Sequence, residues 1–260
     1  MPAPRLPASP ASDRVPASLR SAIQAQLEQS KIDLGGEDDD QVCDRLASFL
    51  HALLQANTQL NLTRDVALPN AIVRHVIEPI AVWQALTPSI QPGALIDVGP
   101  GGGAPGLPIA AANPALPVTL IESRERKAAY LLETAQLLGL SEVTAQHGRA
   151  EAFGRGEGRE QFAVAITRAL APGNIAFEIL LPLVQIGGVA VIIAGPNSGK
   201  WLDAAARTAS DVGGAEPEVR PVAWPGLERD VRLVIVRKLT PTPDRFPRDM
   251  RRIKKDPARA

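Results

Sequence analysis

The chain has 260 residues with 28 basic and 28 acidic side chains, so its net charge gives no argument for nucleic acid or a charged membrane as a partner. Its 45% hydrophobic content is enough for a sizeable core, and a single cysteine, Cys43, excludes an internal disulfide and a zinc site built from several cysteines. No apolar run is long enough to span a membrane and no apolar signal core begins the chain, so we expect a cytoplasmic protein.

The first third of the chain predicts helices preceded by a disordered extension. Residues 1–18 are rich in Pro, Ala and Ser, a composition typical of disorder. Apolar residues at helical spacing predict helices over 19–29 and 41–55, and a third over 70–86 that is bent or broken at Pro79. Residues 19–92 are therefore predicted to form a helical cap.

From Gly93 onward, short apolar runs alternate with helical stretches. The predicted strands are 94–98, 118–122, 143–147, 162–167 and 188–194, and the predicted helices lie around 106–112, 125–138 and 174–183. Two further strands, 219–224 and 232–238, are joined by Pro225-Gly226 and predict a terminal hairpin. This order predicts an α/β domain over 93–240 with a Rossmann-like, seven-stranded, mostly parallel sheet, as in class I S-adenosylmethionine (SAM) methyltransferases.

A glycine-rich turn follows the first predicted strand. Asp97 ends that strand, and Gly99, Gly101 and Gly103 follow it, so the backbone can turn sharply and approach a ligand where a Cβ would clash. Glu122 ends the next strand, where a carboxylate can hold the hydroxyls of a ribose. The pattern predicts a site for a nucleotide-like cofactor at the carboxyl ends of the strands.

The glycine spacing favours SAM over a dinucleotide. Dinucleotide enzymes use Gly-x-Gly-x-x-Gly to admit a pyrophosphate, whereas here the spacing is Gly-x-Gly-x-Gly directly after Asp97. SAM carries no phosphate, and an acidic residue before the first glycine can hold its amino-acid end directly or through water. A nicotinamide-dependent enzyme remains the alternative reading of this loop.

The continuation of the loop, Pro105-Gly106-x-Pro108, resembles the signature of the glucose-inhibited division protein B (GidB) family. These bacterial enzymes methylate N7 of a guanine in the 530 loop of 16S ribosomal RNA. Further blocks resemble the family in the same order: Asn61-Leu62-Thr63, Arg74-His75, Glu122-Ser123 with Arg126-Lys127, Arg149-Ala150-Glu151, Thr167-Arg168-Ala169, and Phe246-Pro247-Arg248 with Lys254-Lys255-x-Pro257. The resemblance covers about residues 40–257.

The resemblance implies a role for each matching residue. The implied SAM-binding residues are Asp97, Gly99, Gly101, Gly103, Ala104, Glu122, Ala150, Glu151 and Arg168, with Glu122 at the ribose and Ala150 and Glu151 at the adenine. The implied substrate-binding residues are Arg74, His75, Arg168, Arg248, Lys254 and Lys255. No catalytic base is identified, and N7 methylation needs none because N7 keeps a free lone pair at neutral pH. We expect no metal.

The C-terminal tail, residues 241–260, is basic. From 245 to 259 it carries seven basic residues against two acidic ones, which predicts contact with phosphates of RNA. Pro241, Pro243 and Pro247 predict an extended rather than helical tail, and Phe246 either stacks on a base or anchors the tail to the sheet. We therefore expect 16S ribosomal RNA or the small ribosomal subunit as the partner of a monomeric enzyme.

Several departures from the family keep other functions open. Ala163 stands where family members usually carry Asp, and Ala194 where they usually carry Lys; we expect both near the active edge of the sheet. The segment after Glu228-Arg229 is also lengthened by Asp230-Val231. The alternatives are a SAM-dependent methyltransferase for a different RNA or a small molecule, and a catalytically inactive relative that binds RNA or the ribosome.

Overall fold

The computed structural model describes residues 14–32, 34, 38–225 and 227–255, so most of the predicted N-terminal extension and the last five residues of the tail lie outside it. Seven strands form one sheet in the order β3-β2-β1-β4-β5-β7-β6. Their bounds are β1 Leu95–Val98, β2 Val118–Glu122, β3 Val143–His147, β4 Phe162–Arg168, β5 Val184–Ala194, β6 Glu218–Val222 and β7 Val231–Arg237. Strands β1 to β5 are parallel, and β7 lies antiparallel between β5 and β6, which confirms the predicted methyltransferase sheet and its terminal hairpin.

Ten α-helices accompany the strands within the described ranges. They are α1 Ala17–Gln29, α2 Asp39–Leu60, α3 Leu68–Ile72, α4 Glu78–Leu86, α5 Gly106–Ala112, α6 Glu125–Leu137, α7 Ala150–Phe153, α8 Gly173–Leu180, α9 Leu202–Asp211 and α10 Met250–Lys255. None of the described helices is long and apolar enough to cross a membrane. Among the same residues, no group of three or more His, Cys, Asp or Glu side chains is arranged to hold a metal ion.

Helices cover both faces of the sheet because successive strand residues point to opposite sides. Leu95 of β1 belongs to the core beneath α1 to α6, and the next residue, Ile96, belongs to the core beneath α8 and α9. Every residue of α5 is buried, since α2 and α4 pack over it. The N-terminal helices therefore complete one face of the sheet and reach the edge at which β1 ends.

The third predicted helix is interrupted before Pro79. A π-helical segment, Val73–Ile77, lies between α3 and α4. Pro79 has no N–H and its ring clashes with the carbonyl one turn earlier, which is that of His75, so the backbone widens there. The irregular turn orients Arg74, His75 and Glu78 toward the end of β4, as described below.

The prediction of a fully extended tail is wrong for residues 250–255, which form α10. The last proline before this helix is Pro247, so nothing in the following residues prevents helical geometry. The side chain of Asp249 accepts a hydrogen bond from the backbone N–H of Arg252 at 3.0 Å and so caps the first turn.

Candidate functional site at the carboxyl edge of the sheet

The glycine loop connects β1 to α5, and its glycines have different functions. Gly99, Gly101 and Gly103 have φ values of +71°, +56° and +99°, a region that favours glycine. A Cβ on Gly101 would meet no atom within 4 Å, so this glycine borders open space. A Cβ on Gly103 would lie 2.6 Å from Leu107 and 3.1 Å from Phe49, so Gly103 permits close packing of α2.

Asp97 lies fully buried at the end of β1, under this loop. Its Oδ2 accepts a hydrogen bond from the backbone N–H of Gly106 at 2.8 Å, and a Cβ on Gly106 would lie 2.5 Å from Leu120. Its Oδ1 has no hydrogen-bond partner among the described groups. Burial raises the pKa of Asp97 to about 7. A buried carboxylate oxygen without a partner is unfavourable, and a cationic ligand group would satisfy it.

Glu122 ends β2, beside the glycine loop, and is held by backbone donors. Its Oε2 accepts a hydrogen bond from the N–H of Gly101 at 3.3 Å, and its Oε1 accepts one from the N–H of Arg124 at 2.9 Å. The Gly99 N–H donates to the carbonyl of Ile121 at 2.9 Å, so the loop and the end of β2 are joined directly. Because a carboxylate has about four acceptor positions, Glu122 keeps capacity for a ligand hydroxyl.

The other predicted cofactor residues lie along the same edge. Ala104 is buried at the end of the glycine loop, one residue before the cis Pro105. Ala150 and Glu151 are buried at the start of α7, directly after β3, and His147 of β3 pairs in register with Glu122 of β2. The structure thus brings the predicted cofactor residues to the adjacent ends of β1, β2 and β3.

Arg168 ends β4, next to β1, and reaches to the π-helical segment. Its guanidinium donates to the carbonyl oxygen of Arg74 at 2.7 Å and to Oε1 of Glu78 at 3.3 Å. The hydroxyl of Thr167 donates to the carbonyl of Val98 at 2.7 Å, which ties the ends of β4 and β1 together. Arg168 is therefore held at the boundary between the glycine loop and the neighbouring half of the edge.

His75 supports Arg168 as a neutral ring. Nη2 of Arg168 lies 3.4 Å from Nδ1 of His75, and because a guanidinium only donates, Nδ1 must accept. Nε2 then carries the proton and donates to the hydroxyl of Thr63 at 2.9 Å. Burial, with Arg168 and Arg74 nearby, lowers the pKa of His75 to about 3. Since both ring nitrogens have protein partners, the structure shows His75 as a support for Arg168, and its contact with substrate stays a prediction.

Glu78 is a residue whose role the sequence did not reveal. It is fully buried at the start of α4, and its Oε1 accepts hydrogen bonds from the guanidinium groups of both Arg74 and Arg168. In the sequence, Arg74 and Glu78 stand four residues apart on a predicted helix. This spacing predicts only an ordinary ion pair on the helix surface. The second partner of Glu78, Arg168, is 90 residues away in the chain.

A cavity of about 660 Å³ opens beside Arg168, at the ends of β4 and β5 and the start of β7. Its charged lining residues are Arg74, Arg168, Arg229 and Asp230. Ala194 also lines it, as expected for a residue at the active edge. The expectation for Ala163 is wrong: it lies near the amino end of β4, five residues before Arg168 and roughly 16 Å along the strand, beside Gly93.

The basic tail is attached to the face of the sheet that α8 and α9 cover, opposite the N-terminal helices. Phe246 is buried in the core beneath α8 and α9, so it anchors the tail. Arg248 donates to both carboxylate oxygens of the fully buried Glu178, at 2.8 and 2.6 Å. Lys254 and Lys255 are exposed on α10. Arg248 thus has a structural partner, and its contact with RNA stays a prediction, as do those of the two lysines.

Comparisons with known proteins show the family of the chain and its fold. The sequence profile of the GidB family, described as rRNA small subunit methyltransferase G, matches residues 42–219. Proteins named ribosomal RNA small subunit methyltransferase G are similar to the chain, with 34% identity in Deinococcus radiodurans (90% of this chain, 92% of the relative) and 37% in Gloeobacter violaceus (83% and 86%). A solved structure from Corynebacterium glutamicum, 14% identical, superposes with a TM-score of 0.50 over 85% of this chain and 97% of its own, which shows the fold alone.

Proposed function

This chain belongs to the GidB family of rRNA small subunit methyltransferases G, and from that premise we propose that it transfers a methyl group from SAM to N7 of a guanine in 16S ribosomal RNA. The observation that supports the proposal is that the carboxyl edge of the sheet has two chemically different halves. Buried carboxylates line the ends of β1 and β2, an arginine-lined cavity lies over β4, β5 and β7, and Arg168 stands where the two halves meet. From the family resemblance, we propose that the target guanine lies in the 530 loop.

The residues over β1 to β3 fit SAM. Asp97 offers a buried oxygen without a partner to the ammonium of the amino-acid end, and Glu122, which accepts from Gly101, Ser123 and Arg124, keeps one acceptor position for a ribose hydroxyl. Gly101 borders open space, so its backbone can approach the ligand. We infer that Ala150 and Glu151 line the adenine pocket. When bound, SAM supplies an electrophilic methyl group on a sulfonium.

The residues over β4 to β7 fit a guanine nucleotide of RNA. Arg74, Arg168 and Arg229 give the cavity the positive charge that phosphates require. Because guanine N7 has a free lone pair, the protein need not remove a proton from the nucleophile. The contribution of the protein is then alignment of N7 with the methyl group, for which Arg168 is held by three partners.

A guanine within structured RNA must leave its stack before N7 can enter this cavity. The exposed basic residues of α10, Arg251, Arg252, Lys254 and Lys255, are suited to hold the surrounding RNA backbone. We therefore propose the 16S RNA or the small subunit as partner, and a monomeric cytoplasmic enzyme.

Incubation of the protein and methyl-labelled SAM with unmodified small-subunit particles, and separately with naked 16S RNA, tests the proposal. We expect label in 7-methylguanine at one position, and the better substrate identifies the physiological one. If the protein binds SAM but neither RNA substrate becomes labelled, the assignment of RNA as the substrate is contradicted. The Gly101→Val variant serves as the negative control, because contaminating methyltransferases would still label its samples.

A further inference from the structure

Trp201 is the only aromatic residue, within the part of the chain that the structure describes, that lines the cavity beside Arg168. It ends a short 3₁₀ helix, Pro196–Trp201, which follows β5. Aromatic residues make up only 3% of the chain, so an aromatic lining is not a general feature of its surface. A half-buried indole is therefore a distinctive feature of the half of the edge that we assign to RNA.

The position of Trp201 is fixed by small residues on α8 and α9. A Cβ on Gly173, at the start of α8, would lie 2.2 Å from Cε3 and Cζ3 of Trp201 and 3.1 Å from Ala205 of α9. The six-membered ring thus packs where any larger residue at 173 would place its side chain, at the rim of the core beneath α8 and α9. The part of the indole that is not covered lies at the cavity.

Trp201 and Arg74 line the cavity from opposite faces of the sheet. Arg74 lies on the π-helical segment, whose residues Val76 and Ile77 belong to the core beneath the N-terminal helices. Trp201 packs against the other core. A nucleotide has an uncharged aromatic base and an anionic phosphate, so the indole side of the cavity suits the base and the arginine side suits the phosphate.

Two properties of the target guanine favour an aromatic partner. A base that leaves its stack loses contact with its neighbours, and stacking on an aromatic side chain replaces that contact. Methylation also leaves a positive charge on the guanine ring, because N7 gives its lone pair to the new bond and the old bonding pair of the methyl group stays on sulfur. The face of an indole attracts a cation more strongly than other aromatic rings do.

We propose that Trp201 stacks on the target guanine and stabilises the positive charge that the base gains at N7. This inference rests on the proposed function and adds a residue that touches the substrate. Since the charge develops during the transfer, the contact is stronger in the transition state than with neutral guanine, and such a contact raises kcat. Trp201 takes no part in holding SAM, whose fitted residues lie over β1 to β3.

The test measures kcat for methylation of 16S RNA or small-subunit particles, whichever the wild-type protein labels. We expect Trp201→Leu to lower kcat roughly five- to hundredfold, the size of a lost stacking contact, and to keep the wild-type affinity for SAM. Trp201→Phe, which keeps an aromatic ring, should restore most of this loss. Trp224→Leu is the matched control and should keep kcat, because Trp224 is also half-buried but packs on the other core, outside the cavity lining.

Tryptophan fluorescence tests the contact directly in variants that keep an aromatic ring. Unmodified 16S RNA should quench the emission of the wild-type protein, and Trp201→Phe should remove most of this quenching while Trp224→Phe keeps it. Unchanged quenching in Trp201→Phe, a wild-type kcat in Trp201→Leu, or an equal loss of kcat in Trp224→Leu overturns the inference and leaves the proposed function standing. A wild-type protein that methylates neither RNA substrate overturns both.

Discussion

The two halves of the sheet edge differ in what holds their charged groups. Over β1 and β2, backbone N–H groups hold the carboxylates: the donor to Asp97 is nine residues away, and the donors to Glu122 are 21 and two residues away. Over β4, Arg168 is held by the carbonyl of Arg74 and the side chains of Glu78 and His75, which lie 90 to 94 residues away. The comparison indicates that the proposed SAM half, over β1 to β3, depends on the local loop, whereas the proposed RNA half, over β4 to β7, depends on the helices packed around it.

The largest expected effect comes from Gly101→Val. The side chain would enter the open space that the backbone of the SAM half borders, so we expect SAM binding to be abolished in calorimetry. Gly139→Val is the matched control, because Gly139 also has a positive φ, +66°, and no atom within 4 Å of a Cβ. Both variants should lose about 1–3 kcal/mol of stability from backbone strain. Loss of SAM binding in both variants would show that strain, not the ligand site, is responsible.

Asp97→Asn removes the negative charge of the buried carboxylate in the proposed SAM half but keeps the size of the side chain. Burial raises the pKa of Asp97 from 3.8 to about 7, so the folded state binds its proton more tightly than the unfolded state. Wild-type stability without ligand is therefore lost as pH rises from about 4 to about 7. The amide carries no charge and can still accept from Gly106, so the variant should gain stability relative to wild type, by up to a few kcal/mol, above pH 7.

Urea unfolding at pH 5 and pH 8, with SAM titrations at both values, measures this effect. In the wild type, SAM affinity should fall as pH drops below about 7 and Asp97 becomes protonated. The variant should bind SAM weakly at both values. A stability difference between the two proteins that is the same at pH 5 and pH 8 would contradict the assignment.

Glu78→Gln tests the RNA half. Without its carboxylate, Arg74 and Arg168 lose a shared anionic partner, so we expect kcat for RNA methylation to fall roughly tenfold to a hundredfold while SAM affinity stays unchanged. Glu178→Gln is the control, because Glu178 is equally buried and pairs with Arg248 of the tail. Both should lose stability, by about 1–3 kcal/mol, but only Glu78→Gln should lose kcat at saturating RNA. An equal loss of kcat in both would indicate a general structural effect.

The smallest effect is expected for Lys254→Ala combined with Lys255→Ala. These exposed side chains on α10 should each account for a slope of about 0.7 in the salt dependence of RNA affinity. We expect weaker RNA binding, a flatter salt dependence and an unchanged melting temperature. Arg248→Ala should instead lower the melting temperature, because it removes the guanidinium that neutralises the buried carboxylate of Glu178. If the double lysine variant keeps the wild-type salt dependence, α10 is not part of the RNA interface.

The sequence predicted the strands well because each is a short apolar run between turn residues, and the runs alternate with helices. It also placed Asp97 and Glu122, since carboxyl ends of neighbouring parallel strands meet at one edge. It predicted α2 too short, because the last turns of that helix, around Asn57, lack apolar periodicity. Ala163 was misplaced although the predicted strand itself put it near the amino end, away from the site.

The amino-acid sequence by itself determined the fold class and the residues of the proposed SAM half, because strand periodicity, glycine spacing and strand-end carboxylates are local features. Only the tertiary structure decided the support of Arg168 by Glu78 and His75, the neutral state of His75, and the pairing of Arg248 with Glu178. These depend on burial and on hydrogen bonds and ion pairs between residues 70 to 93 positions apart in the chain, which no local pattern encodes.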